Sequence, residues 1–378
     1  MSKQLTLQTL MAAHSPALTL NPVKRKVYDH ILACGTERLG GLQLHCAQCE
    51  NSLPLYHACR DRHCPRCQFR QRQQWCERQR DAVLPVTYYH LVFTLPHDLN
   101  GWVQLHPEVI YRLLFQCVWA TLKAFGADPK RLGGELGATM MLHTWGQNLS
   151  QHVHLHCLVP GGVLTEQGHW EETRSNYLFP VRALSRRFRG KMVSALRAAD
   201  QNGDLNRVTR ADEVDKILDK LMKNQWVVYS KACITRTETV IDYLGRYSHR
   251  IALSNSRLLG KQAGKVLLRY KDYRDGKNKV LKLTPEELIR RFLLHVLPRG
   301  LMRIRHYGFL ANCCRQVKLS RIRSALKVGN DSNDDNKRVN QKNTAAQPDA
   351  FDGYPCPNCK TGKLLVIAQL PRPAFDSG

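Results

Sequence analysis

Two C-x2-C pairs near the amino terminus constrain the fold of this chain more than any other feature. In the segment CAQCENSLPLYHACRDRHCPRC, Cys46 and Cys49 form the first pair and Cys64 and Cys67 the second, with 14 residues between the pairs. Each pair lets two thiolates reach one ion from a tight turn, and two pairs at this separation are typical of a tetrahedral zinc site. We therefore expect Cys46, Cys49, Cys64 and Cys67 to bind zinc in an amino-terminal domain.

The remaining amino-terminal cysteines leave several arrangements open. Seven of the 14 cysteines lie between Cys34 and Cys76, and in a reducing compartment this crowding indicates metal binding rather than disulfides. Cys34, Cys59 and His63 can supply a second zinc ion, replace one of the expected ligands, or simply be buried.

A further C-x2-C pair lies near the carboxyl terminus. Cys356 and Cys359, in YPCPNCKTGKL, are typical of half a zinc ribbon. The other half would have to come from Cys313 and Cys314 or from a second chain, and the sequence leaves the role of the pair open.

The charge of the chain indicates a polyanionic partner. Lys and Arg number 57 against 31 acidic residues, which gives a formal charge of +26. Nucleic acid is the first candidate because dense Lys and Arg surfaces neutralise phosphates, and an anionic membrane is the weaker one.

Seven arginines fall between residues 60 and 80, either as phosphate contacts held rigid by zinc or as a solvated helix face. The DNA contacts expected there are Arg60, Arg62, Arg66, Arg70 and Arg72.

Composition divides the chain into four regions. Residues 1–85 form the zinc- and DNA-binding domain, and residues 86–310 alternate strand-like and helix-like patterns typical of an antiparallel α+β fold with inserted helices. Residues 311–350 contain a basic helix followed by a polar, disordered linker, and residues 351–378 form a tail.

The sequence has no apolar run of 18 residues and no signal-peptide pattern, so we expect a cytoplasmic protein with no membrane partner.

Three histidines alternate along one predicted strand. In QHVHLHCLV, His152, His154 and His156 share a face, and the apolar residues between them indicate a buried central strand. The preceding strand forms a hairpin with it and carries His143, Trp145 and Gln147 on one face. We expect Gln147 to lie opposite the pair His154 and His156 and to offer its amide oxygen as a third ligand. Such an open site suits Mg²⁺ or Mn²⁺ acting as a Lewis acid on a phosphate. The alternative is ordinary packing on a polar face.

Two tyrosines lie one helical turn apart in VIDYLGRYSHR. Tyr243 and Tyr247 would share a helix face, either as a packing pair or as successive nucleophiles on phosphorus. A free phenol has a pKa of about 10, so the second role needs a polarised phosphate and neighbouring cations such as Arg246 and Arg250.

Taken together, HLHCLVPGG, YLGRY and CAQC…CPRC resemble the rolling-circle transposases of bacterial insertion sequences, the two-tyrosine HUH endonucleases of the IS91 family. The resemblance covers about residues 25–325 and implies a palm-like antiparallel sheet in the catalytic region 86–310. It implies nicking of single-stranded DNA through a 5′-phosphotyrosine link and a nucleoid-associated bacterial protein. The residues that match are His154 and His156 as metal ligands and Tyr243 and Tyr247 as nucleophiles. In similar proteins the third ligand comes from the neighbouring strand, which again indicates Gln147.

Two other functions fit the same residues. A rolling-circle replication initiator would share the chemistry and act on different DNA. A zinc-dependent regulator would bind nucleic acid without catalysis, with the histidines and tyrosines in structural roles. The sequence leaves the oligomeric state and the target DNA open.

Overall fold

The computed structural model of the chain describes residues 4–14, 19–173, 178–208, 211–233, 245, 252–272, 275–326 and 353–373, with the backbone alone at 69–72, 81, 211, 212 and 233. These residues form a mixed α+β fold whose strand pairs are antiparallel, as the sequence predicts. The described helices are α1 (Leu7–Ala13), α2 (Pro22–Ala33), α3 (Gln68–Gln79), α4 (Asn100–Leu105), α5 (Pro107–Gly126), α6 (Val181–Gln201), α7 (Ala211–Lys223), α8 (Pro285–Leu293) and α9 (Arg315–Ala325). The described strands are β1 (Gly41–Cys46), β2 (Asn51–Tyr56), β3 (Tyr88–Thr94), β4 (Gly137–Trp145), β5 (Gln151–Pro160), β6 (Gly162–Leu164), β7 (Trp170–Glu172), β8 (Val228–Cys233), β9 (Leu258–Gln262), β10 (Lys265–Lys271), β11 (Asn278–Leu283), β12 (Ile304–Gly308), β13 (Tyr354–Pro355) and β14 (Lys363–Leu370).

A five-stranded sheet in the order β12-β4-β5-β3-β8 forms the centre of the molecule. The hairpin that the sequence predicts is present as β4 and β5, and β5 lies in the middle of the sheet. Because side chains alternate between the two faces of a strand, Val153, Leu155 and Cys157 point into the main hydrophobic core and the histidines point the other way.

Helices α5 and α6 cover the apolar face of this sheet. Helix α5 starts at Pro107, whose missing N–H costs nothing at a first helical position, and its buried side chains include Leu114, Phe115 and Val118. Phe188 of α6 packs edge-to-face on Phe93 of β3 with ring centroids 5.2 Å apart. Neither these helices nor any other described helix combines the length and apolar character needed to cross a membrane.

A second core joins α1, α2 and α8 to the three-stranded sheet β11-β10-β9. The sequence TPEE at residues 284–287 predicts a helix with Thr284 as its N-cap, Pro285 at its first position and Glu287 completing a capping box. Helix α8 has Pro285 in its first turn, and the Thr284 hydroxyl accepts the backbone N–H of Glu287 at 3.2 Å. The expected return bond from Glu287 is replaced, because its carboxylate binds Arg290 and Arg291 instead. Trp145 and Leu149, at the end of the β4–β5 hairpin, also belong to this core and so connect it to the central sheet.

The amino-terminal hairpin β1–β2 lies in a four-stranded sheet with strands from the carboxyl-terminal tail, in the order β13-β14-β1-β2. Strand β14 pairs with β1 from Gly41 opposite Leu370 to His45 opposite Leu365. The predicted polar linker falls outside the described residues. The tail beyond it lies on the amino-terminal region.

Candidate functional site

The polar face of the central sheet carries a group of histidines. On β5, His154 and His156 point to this face, as their alternation predicts, and His90 of β3 points to it as well. His156 is 7% exposed and His90 6% exposed. Burying several imidazoles on one sheet face is costly unless they bind one another or an ion, so the cluster indicates a site rather than a solvated surface.

His143 of β4 completes a set of three possible metal ligands. It lies directly opposite His154 in the strand pairing and is 2% exposed. One ring nitrogen from each of His143, His154 and His156 lies within 4.8 Å of the other two. The ring centroids of His143 and His156 are 4.4 Å apart. Three imidazoles at this spacing can share one divalent cation.

Gln147 does not lie opposite the histidine pair, which corrects the geometry expected from the sequence. The pairing of β4 with β5 shifts its register between His143 and Trp145, and β4 ends at Trp145. Gln147 therefore lies in the connection between the strands, where its backbone carbonyl accepts a hydrogen bond from the Arg257 guanidinium. His143 takes the place that the sequence had indicated for Gln147. The alternation of residues along β4 that pointed to Gln147 also placed His143 on the same face.

Hydrogen bonds orient two of the three imidazoles. The Nδ1 of His154 lies 2.9 Å from the His152 carbonyl, which only accepts, so Nδ1 carries the proton and Nε2 keeps its lone pair. The Nδ1 of His156 lies 2.7 Å from Nε2 of His90. Burial lowers the pKa of His90 to about 4, so His90 is neutral at pH 7 and can accept the Nδ1 proton of His156. Such bonds fix the tautomer in which Nε2 faces an ion.

The predicted nucleophiles Tyr243 and Tyr247, together with Arg246 and Arg250, lie outside the described residues. The chain leaves the described part at the end of β8, an edge strand that pairs with β3 beside the histidine face. Apart from the single residue 245, the described part resumes at Ala252, which lines a small cavity together with Trp145. Trp145 stacks on His143 with ring centroids 4.6 Å apart.

The cysteines form two four-sulfur clusters rather than the one expected from the sequence. Cys64 and Cys67 group with Cys34 and Cys59, whereas Cys46 and Cys49 group with the carboxyl-terminal pair. In each cluster the four sulfurs lie within 4.8 Å of one another. The expectation that Cys46, Cys49, Cys64 and Cys67 share one ion is therefore corrected, although each of the four remains in a set that suits zinc.

The first cluster is complete within the amino-terminal region. The Cys67 sulfur is 3.6 Å from the sulfurs of Cys34 and Cys59. His63 is not part of the cluster: its Nδ1 contacts Asp61 at 3.0 Å and its Nε2 accepts the Leu297 N–H at 3.2 Å. Of the three residues left open by the sequence, Cys34 and Cys59 are candidate ligands, and His63 connects this domain to Leu297.

Two of the arginines expected to contact DNA make internal hydrogen bonds. Arg62 donates to the carbonyls of Leu301 at 2.6 Å and Pro298 at 2.8 Å, and Arg66 donates to the carbonyl of Cys34 at 2.8 Å. Arg60 is exposed, and the side chains of Arg70 and Arg72 lie outside the described residues. These hydrogen bonds give Arg62 and Arg66 a structural role, which the positions of the arginines in the sequence did not indicate.

A large basic cavity lies beside the histidine face. Its volume is about 1170 Å³, and it reaches His306 of β12, whose Nδ1 is 3.0 Å from the Thr139 hydroxyl on β4. Seven arginines and one glutamate contribute to its wall, and the arginines are Arg62, Arg78, Arg112, Arg299, Arg303, Arg305 and Arg315. A concave surface with this excess of positive charge suits a nucleic-acid backbone.

Arg299 and Arg62 should respond differently to substitution. Arg299 is exposed in this cavity, so Arg299→Ala should weaken DNA binding. It should also lower by about one the number of counterions released on binding, which sets the salt dependence of the binding constant. Arg62→Ala removes hydrogen bonds to partly buried carbonyls, so it should lower the free energy of unfolding by about 1–3 kcal/mol. Salt-titrated binding and denaturant unfolding of both variants measure the two effects, and equal loss of stability would contradict this division.

Two family profiles match the chain. Residues 137–317, which contain the three histidines, match Y2_Tnp, described as "Putative transposase". Residues 6–95, which contain the first cysteine cluster, match Zn_Tnp_IS91, described as "Transposase zinc-binding domain".

Two curated proteins are similar over most of the chain. "Putative transposase y4qJ" of Sinorhizobium fredii is 40% identical over 92% of this chain and 90% of its own length. The "Transposase for insertion sequence element IS801" of Pseudomonas savastanoi pv. phaseolicola is 28% identical over 82% of this chain and 75% of its own length. No solved structure matches the chain significantly.

Proposed function

Because the chain belongs to the IS91 family of transposases and carries that family's zinc-binding domain, we propose that it nicks and rejoins single-stranded DNA through a 5′-phosphotyrosine intermediate during rolling-circle transposition. The observation that carries this proposal is the cluster of His143, His154 and His156 on adjacent strands of the central sheet, in which His143 and His156 are buried. We further propose that this sheet is the palm-like sheet of an HUH endonuclease.

The three imidazoles suit a divalent cation, Mg²⁺ or Mn²⁺. They are close enough to share one ion, and hydrogen bonds hold Nε2 of His154 and of His156 in the form that binds a metal. Nitrogen ligands favour Mn²⁺ over Mg²⁺, which prefers oxygen. When bound, the cation supplies Lewis-acid polarisation of the scissile phosphate. Gln147 then has no ligand role in this proposal.

The tyrosines supply the nucleophiles. The phenol oxygen of Tyr243 or Tyr247 forms a bond to phosphorus, and the bond from phosphorus to the DNA 3′-oxygen breaks. The phenol proton is lost, and the departing 3′-oxygen takes up a proton. Attack of a free 3′-hydroxyl on the phosphotyrosine reverses these steps, so strands are rejoined without an external energy source. Arg246 and Arg250 would stabilise the charge on the phosphate.

The described residues on either side of the tyrosine segment lie near the histidine face. Strand β8 pairs with β3 at one edge of the sheet, and Ala252 lines a small cavity together with Trp145, which stacks on His143. The proposal that Tyr243 and Tyr247 act on a phosphate at the histidines rests on the family and on these described neighbours.

The basic cavity would hold the DNA strand. It ends at His306, and His306 and Ile304 of β12 lie beside β4 on the face that carries His143. Phosphates bound by its arginines would thus lead towards the three imidazoles.

The two alternative functions are less well supported. The curated relatives are transposases, which favours transposition over plasmid or phage replication. A regulator without catalysis has no need for three imidazoles around a common point, two of them buried.

A covalent-adduct assay tests the proposed function. A labelled oligonucleotide carrying an end of the insertion sequence should become attached to the protein in Mn²⁺ or Mg²⁺, and the adduct should survive denaturing electrophoresis. EDTA should prevent it, and Mn²⁺ should support it at lower concentration than Mg²⁺. A protein that binds the oligonucleotide under all these conditions without forming an adduct would be a regulator.

A further inference from the structure

The carboxyl-terminal CPNC pair lies against the turn of the amino-terminal β1–β2 hairpin. The sulfur of Cys359 is 3.9 Å from that of Cys46, and the sulfur of Cys356 is 3.7 Å from that of Cys49. The paired cysteines are 313 and 307 positions apart in the chain. Cys356 and Cys359 also lie outside both family matches, which cover residues 6–95 and 137–317.

Strand pairing brings the two halves together. Strand β14 lies along β1 on the side opposite β2, and the short strand β13 pairs with the start of β14. Cys46 is the last residue of β1, and Cys356 directly follows β13. Both C-x2-C turns therefore lie at the same end of one sheet.

The sulfur distances suit a metal ion and exclude disulfides. A disulfide joins sulfurs about 2.05 Å apart. Four thiolates around zinc, at Zn–S distances of about 2.3 Å, are separated by about 3.8 Å in tetrahedral geometry. The observed separations of 3.7 and 3.9 Å agree with the second value.

The two turns also share a backbone feature. The residue directly after each second cysteine, Glu50 and Lys360, has a left-handed φ of 55° and 63°. This conformation is unfavourable for residues other than glycine, so its repetition indicates that both turns are shaped by a common constraint. N–H groups also point at the sulfurs: the Gly362 backbone donates to Cys359 at 3.2 Å, and the Asn358 amide donates to Cys49 at 3.5 Å. Such donors stabilise thiolates.

Close packing around the four sulfurs restricts the neighbouring residues. A Cβ at Gly362 would lie 2.6 Å from the Cys46 sulfur, so this position needs glycine. Cys46 and Cys356 are buried together with Leu44 and Leu364, and these four residues form a separate, very small core. A core of this size gives little hydrophobic stabilisation, and small domains of this kind depend on a metal or another cross-link.

We propose that Cys46, Cys49, Cys356 and Cys359 form a second zinc site, which fastens the carboxyl-terminal tail to the amino-terminal domain. The first site, with Cys34, Cys59, Cys64 and Cys67, is formed without the tail. The second zinc site is split between the two ends of the chain, so the folding of β1 and β2 depends on residues 353–373.

Zinc content tests the split site directly. The purified chain should hold two zinc ions, measured by atomic emission, and the double variant Cys356→Ser/Cys359→Ser should hold one. Cys46→Ser/Cys49→Ser should also hold one. The matched control Cys313→Ser/Cys314→Ser should keep two, because the Cys314 thiol contacts the carbonyls of Gly308 and Ala311 instead. Two zinc ions in the Cys356→Ser/Cys359→Ser variant would overturn the proposal.

A cleavage experiment tests the fastening in the intact fold. A specific protease site inserted between residues 330 and 345 allows the linker to be cut after folding. The carboxyl-terminal fragment should co-elute with the rest of the chain in size-exclusion chromatography and separate when zinc is chelated. In the Cys356→Ser/Cys359→Ser background it should separate without chelator. A fragment that stays bound in that variant would show that strand pairing alone holds the tail, and the zinc proposal would fail.

Discussion

Replacing both Tyr243 and Tyr247 with phenylalanine should abolish the covalent protein–DNA adduct. Phenylalanine keeps the ring and removes only the phenol oxygen that would bond to phosphorus, so packing is retained while the nucleophile is lost. The adduct should fall below detection on a denaturing gel, whereas the affinity for the same oligonucleotide should stay within about two-fold. If only one of the single variants forms adduct, the tyrosine that remains in it is the first nucleophile.

An adduct in the double variant would contradict this role. Another tyrosine would then have to act, and Tyr229 is the one to test. It lies on the histidine face of β8, opposite Val92, with its ring centroid 6.4 Å from that of His90. Peptide mapping of the labelled adduct would identify the residue attached to DNA and so distinguish these outcomes.

Local sequence patterns predicted the parts of the fold whose contacts are close in the chain. The β4–β5 hairpin, the apolar and polar faces of β5 and the cap at Thr284 each depend on residues only a few positions apart. Alternation along a strand places His154 and His156 on one face whatever the rest of the chain does.

The grouping of the cysteines could not be predicted in the same way. Spacing shows that Cys46 and Cys49 form one half-site, but not which other half-site they meet. The order β13-β14-β1-β2 decides this, because it brings the tail to the hairpin from more than 300 positions away. Local spacing instead favoured the nearer pair, Cys64 and Cys67, whose true neighbours are Cys34 and Cys59.

The choice of His143 over Gln147 as the third proposed metal ligand depends on a small detail of strand register. A regular hairpin with a very short turn would have placed Gln147 across from the histidines. The register shift between His143 and Trp145, and the longer connection at residues 146–150, move Gln147 off the strand and leave His143 opposite His154. Trp145 and Leu149, on either side of this connection, pack in the second core, and such long-range packing is not visible in the local pattern.

His143→Ala should therefore reduce adduct formation far more than Gln147→Ala. The first substitution removes one of three converging imidazoles, and loss of a ligand should lower the rate at limiting Mn²⁺ by about 100-fold or more. The second removes a side chain from the connection and keeps the backbone carbonyl that binds Arg257, so the rate should change by about two-fold or less.

Raising the Mn²⁺ concentration should partly restore the His143→Ala variant, because its defect lies in metal affinity, and should leave Gln147→Ala unchanged. Thermal unfolding of both variants with and without Mn²⁺ separates loss of the ion from loss of the fold: wild type and Gln147→Ala should be stabilised by Mn²⁺, and His143→Ala only at higher concentration. The opposite ranking, with Gln147→Ala inactive and His143→Ala unaffected, would return the third ligand to the glutamine, and the connection would then have to move towards the sheet when the metal binds.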